Sequence, residues 1–200
     1  MSNGKADLLR LPSQVMLPDE RLEVFVLHNR ETGETRLRTI EDFYNDIARY
    51  TLGPNVPNDV FDSFETARNL YLYSYFVYRF TVVSSLQAFT ALEFALREKA
   101  ILEGVPKCIG EKGKEVPITL YEGLYMAIKR GWISDEMFAK EGIKVSSRNL
   151  YCKGLMSRIP QLRNKLGHGS FILYPQPQAQ QILKVVSQLI NLMFTSEEPV

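Results

Sequence analysis

The sequence predicts an all-α fold: a helical bundle of about five to seven helices with a small N-terminal β-hairpin or arm. Three observations predict it. Apolar residues recur at three- and four-residue steps through most of the chain after residue 58. No glycine or proline interrupts the stretch from about Val60 to Glu103. Strand-like patterning is found in the segment Arg21–Arg38 and, ambiguously, at Leu70–Phe80, where the flanks favour helix.

Two hundred residues suit one main domain with a sizeable core. We divide the chain into an N-terminal arm, hairpin and short helix over 1–52, and a helical bundle over 58–195. The 45% hydrophobic and 24% charged content is that of a globular chain. A formal net charge of +1 excludes a global field toward nucleic acid or acidic lipid, so any RNA contact must use a local patch. Cys108 and Cys152 lie far apart with no metal-like spacing, which favours a reduced, cytoplasmic protein. The N-terminus lacks the apolar run of a signal peptide. Between Leu70 and Leu92 the one formal charge is Arg79. The polar content of that run points to a buried central helix and away from a membrane span.

Residues 1 to about 20 read as an arm, punctuated by Pro12 and Pro18. Arg21–His28 is expected as a strand, 29–34 as a turn, and Thr35–Arg38 as the returning strand. Thr39 with Asp42 forms a variant capping box for a helix from Ile40 to Leu52. Gly53-Pro54-Asn55-Val56-Pro57 ends it. The next helical pattern, about 60–103, is long for one globular helix. It is one rod or two helices, with a break expected between about 73 and 80, where tyrosines alternate. Gly104–Pro117 reads as a loop. Thr119–Arg130 is a short amphipathic helix stopped by Gly131. A shorter helix starts at Ser134 and runs to about Glu141. Ser146 or Ser147 caps a helix over about 148–166, which Pro160 should kink or divide. Ala179 to about Phe194 is apolar around most of its circumference, so it belongs in a core or an interface.

The chemical argument concentrates at Arg163-Asn164-Lys165-Leu166-Gly167-His168. Arginine is a permanent planar cation that matches phosphate oxygens. Histidine exchanges a proton near neutral pH. The other histidine, His28, sits at a strand end beside a turn and reads as a surface residue. Five residues along an α-helix turn through about 500°, leaving Arg163 and His168 about 140° apart. Asn164 and His168 share a face. Convergence of arginine and histidine therefore needs unwinding at Gly167, or a second copy of the chain. An alternative reading is structural, with Gly-His-Gly as a helix stop and Arg163 paired to a carboxylate.

This motif, closing the penultimate long helix ahead of an apolar last helix, resembles the signature of the HEPN (higher eukaryotes and prokaryotes nucleotide-binding) family: arginine, four to six residues, histidine. Ala91 to Arg97, with Glu93 and Arg97, on an earlier long helix is similar to the acidic-plus-basic stretch of many members. The resemblance covers about 58–195. It implies a small helical bundle, usually a homodimer, whose catalytic members are metal-independent endoribonucleases with no cofactor. Their two motifs face each other across a composite cleft. Other members are non-catalytic interaction or regulatory modules, and some are toxins paired with an antitoxin. On this reading Arg163 braces a phosphate, Asn164 orients it or the histidine, and His168 acts as acid or base. Glu93 and Lys165 are candidate supports. The expected partners are RNA, a second copy and an antitoxin or regulatory protein; no membrane is expected.

Overall fold

The computed structural model describes residues 8–105, 118–145, 150–169 and 174–195, with the backbone of 108–109 and 115–116. Seven α-helices stand among these residues: α1 (Ile40–Ile47), α2 (Asn58–Tyr73), α3 (Phe80–Leu102), α4 (Leu120–Lys129), α5 (Asp135–Lys140), α6 (Leu150–Gly167) and α7 (Gln176–Phe194). Two antiparallel hairpins accompany them. β1 (Val26–His28) pairs with β2 (Thr35–Leu37), with Val26 opposite Leu37. β3 (Cys108–Ile109) pairs with β4 (Glu115–Val116). The chain is thus an all-α bundle with an N-terminal hairpin, as the sequence predicts.

α3 is the centre. Its buried positions are largely small, including Ser84, Ser85, Ala88, Ala91 and Ala95, which lets neighbouring backbones approach. α2 lies antiparallel to it. Ser84 Oγ donates to the Ala67 carbonyl at 2.8 Å, and Gln87 Nε2 donates to Ser63 Oγ at 3.1 Å, so the residue paired on α2 falls as α3 advances. α7 packs along α3 and buries Ala179, Ile182, Leu183, Val186, Leu189 and Ile190. Leu22, Phe43, Ile47, Tyr50 and Leu52 of the N-terminal segment join the same buried cluster.

The long helical pattern breaks at 74–79, within the expected interval, and the broken peptide groups find partners. The backbone N–H of Asp19 donates to the Tyr75 carbonyl at 2.9 Å, and Asp19 Oδ2 accepts from the Tyr78 N–H at 2.9 Å. The same carboxylate takes Arg21 Nε and Nη2 at 2.7 Å each. A helix break inside a core would leave orphan peptide groups, and here the arm supplies what they lack.

Several elements depart from expectation. Glu20–Val24 is a turn of 3-10 helix capped by Asp19, so the first strand is only Val26–His28. The cap draws the chain into a turn before strand pairing can begin. His28 ends the strand and is exposed. The Thr39 capping box is present, with the Thr39 N–H donating to Asp42 Oδ2 at 2.8 Å, but α1 stops at Ile47. The stretch read as a loop contains the β3–β4 pair. α6 crosses Pro160 without dividing, and α7 starts at Gln176. Ser146 and Ser147 lie outside the described residues. Among the described residues no helix is long and apolar enough to cross a membrane.

Candidate functional site

α4 begins with a full capping box: Glu122 N–H donates to Thr119 Oγ1 at 3.3 Å, and Glu122 Oε2 accepts from the Thr119 N–H at 3.0 Å. That fixes the start of α4, which packs on α3 and α6. Gly123, one turn in, permits the contact. A Cβ there would sit 2.9 Å from Leu96 Cδ1 and 3.2 Å from Leu96 Cβ. Where these three helices meet, Glu93, Arg97, Ile118, Thr119, Leu120, Tyr121, Pro160, Arg163 and Asn164 line a cavity of about 450 Å³.

The charges in it are organised around one carboxylate. Arg163 Nε on α6 donates to Glu93 Oε1 on α3 at 3.2 Å. Arg97, one turn along α3, brings Nη2 to 3.6 Å from Glu93 Oε2. Glu93 is the shielded partner, 16% exposed against 45% for Arg163 and 44% for Arg97. Two guanidiniums flank this carboxylate, with both cations reaching solvent, and Glu122, bonded to Thr119 at the rim, adds a second carboxylate nearby. Thr119, Leu120 and Tyr121 bring the capped first turn of α4 to the same opening. The cavity can thus receive an anion with planar oxygens.

Asn164 lines the cavity beside Arg163; Lys165 is exposed, and His168 is exposed outside the lining set. Unwinding at Gly167 does not occur. α6 stays helical through Gly167, and the His168 N–H donates to the Asn164 carbonyl at 2.9 Å. Gly169, at φ +72°, then terminates the helix in the left-handed conformation. The regular helix keeps Arg163 and His168 on different sides within one chain. Among the described residues the His168 imidazole has no hydrogen-bond partner. Glu93, named as a support from the sequence, does reach Arg163.

Sequence reasoning missed the α4 contribution. Thr119 and Tyr121 are distant in sequence from Arg163, and only packing through Gly123 reveals them. A second cavity, of about 380 Å³ beside Gly53, Asn191 and Phe194, carries no charged side chain. Among the described residues no group of three or more His, Cys, Asp or Glu could hold a metal ion. Comparisons with protein-family models, curated proteins and solved structures give no match.

Proposed function

We propose that this chain is a HEPN-like cytoplasmic protein that binds RNA at the α3–α4–α6 cleft and, as a homodimer, cleaves it without metal. The observation that supports this reading is the place of Arg163 and Asn164 in the lining of the cavity, beside Arg97. Both guanidiniums are partly exposed at an opening of ligand size.

The chemistry follows from the residue types. A base takes the proton from a ribose 2′-hydroxyl, whose oxygen then attacks the adjacent phosphorus. The bond to the 5′-oxygen breaks, an acid protonates that oxygen, and a 2′,3′-cyclic phosphate remains. Arg163 and Arg97 stabilise the charge gathered on the non-bridging oxygens. Asn164 orients the phosphate. His168 is the proton carrier, and two copies supply two imidazoles, one for each transfer. Lys165 extends the positive rim toward the strand.

A second reading has a specific observation in its favour. His168 lies outside the cavity, which suits a non-catalytic interaction or regulatory module of the defence or toxin–antitoxin type, with a protein partner. One assay separates the two. RNA is incubated with the protein in excess chelator, alongside His168→Ala and Arg163→Ala. The enzyme reading expects cleavage that His168→Ala lowers by roughly 100-fold or more, with unchanged circular dichroism. RNA bound but left intact supports the second reading, and RNA neither bound nor cut overturns the RNA function.

A further inference from the structure

The tyrosines of this protein are mostly engaged. The Tyr71 hydroxyl donates to Asp46 at 2.6 Å, and the Tyr78 hydroxyl to the Tyr174 carbonyl at 3.3 Å. Tyr75 packs edge-on against Phe43, and Tyr151 against Phe138. Tyr44, Tyr73, Tyr121 and Tyr125 are each about half exposed, and of these four Tyr121, on the first turn of α4, is the one that lines the charged cavity. Among the described residues no hydrogen bond, ring contact or cation engages its side chain. A half-exposed phenol ring without a partner therefore borders the opening that holds two guanidiniums.

We infer that Tyr121 is a base-stacking residue, and that the cleft takes unpaired, single-stranded RNA with a phosphate on Arg97 and Arg163 and a base on the Tyr121 ring. This rests on the RNA reading above and names its substrate class. Three observations carry it. The cavity of about 450 Å³ has room for one nucleotide unit but not for a double helix. Its lining divides by element, with Arg97, Arg163 and Asn164 around the Glu93 carboxylate from α3 and α6, and Tyr121, Leu120 and Ile118 from the start of α4. A nucleotide has the same division, an anionic phosphate joined to a flat π-surface. Bases inside an A-form duplex are stacked on each other and have no free face for a protein ring, whereas a splayed base does. Stacking on an aromatic side chain accepts any base, so Tyr121 confers selectivity for strandedness and little for sequence.

The test uses full-length protein and fluorescence anisotropy with 2′-O-methyl RNA, which lacks the attacking hydroxyl and so stays intact. Three probes are compared: a labelled single strand, the same strand with abasic sites, and a duplex of equal length. Wild-type protein should bind the single strand roughly tenfold more tightly than the abasic strand, and more tightly than the duplex. Tyr121→Ala should bring the single strand to the abasic level while leaving abasic binding unchanged. Tyr121→Phe, which keeps the ring, should behave as wild type. The stacking role is overturned if Tyr121→Ala weakens both strands equally or neither, or if the duplex binds as well as the single strand. Failure of wild-type protein to bind any of the three probes instead overturns RNA binding itself, a distinguishable result.

Discussion

Asp135 holds the start of a helix to which it does not belong. Its side chain, on α5 and 1% exposed, accepts from the backbone N–H of Tyr151 at 3.1 Å and of Cys152 at 2.9 Å. These are among the first amides of α6, which have no partner inside their own helix. Burial pushes the Asp135 carboxyl up, but the amides of Cys152 and Tyr151 outweigh it and the net shift is downward. Asp135→Ala removes a charged acceptor and leaves one buried and one partly buried donor, so a loss of about 2 kcal/mol in unfolding free energy is expected by denaturant titration. Cys152 shows the reverse effect. Burial, then the adjacent Asp135 carboxylate, push its thiol up to about 12. At pH 8 the native protein should therefore leave Cys152 unlabelled by iodoacetamide, and denatured protein should label it, as read by peptide mass spectrometry.

At the scale of elements, the cleft depends on how closely α4 approaches α3. Gly123 sets that approach, because a larger side chain meets Leu96. Gly123→Val should cost about 1–3 kcal/mol by overpacking, read as a lower denaturation midpoint, and should weaken the proposed RNA binding as α4 moves outward. The helices themselves were legible from the residues, through local signatures: Thr39 with Asp42, Gly131, and the three- and four-residue apolar steps. The break at 74–79 was legible as an interval because the tyrosines change period there. What completes it was not, since Asp19 is remote in sequence. The short first strand was misjudged for a related reason. Val24, Val26 and Leu27 favour a strand, but Asp19 caps a turn across the first half of it. At the site, residue types named Arg163, Asn164 and Glu93, and packing brought Arg163 to Glu93. The placement of Tyr121 was not legible, because no local pattern encodes which helix will face which.

For the molecule as a whole, several carboxylates tie separate segments together, which makes stability depend on acid. Asp19 joins the arm to the α2–α3 link. Burial raises its pKa, but the bonds from Arg21 and the Tyr78 amide outweigh that and lower it. Asp42, held by Arg36, lies well below the usual carboxylate range. Asp135 is lowered as well. A carboxyl whose folded pKa is depressed contributes fully above its unfolded value, about 3.9, and loses the contribution as pH falls through the folded value. The urea midpoint should therefore fall as pH drops below about 4, and Asp19→Asn should make that fall shallower.

The order of elements along the chain bears on how the molecule is made. α2 and α3 are neighbours in sequence and close as a local hairpin, but α7, which covers α3 with Leu183, Val186 and Ile190, follows α6. A nascent chain thus carries a greasy, half-finished hairpin during the synthesis of α4, α5 and α6, until α7 emerges from the ribosome. The small residues Ala88, Ala91 and Ala95 along α3 limit the stickiness of that waiting surface, because methyl groups offer little area for a stray chain to seize.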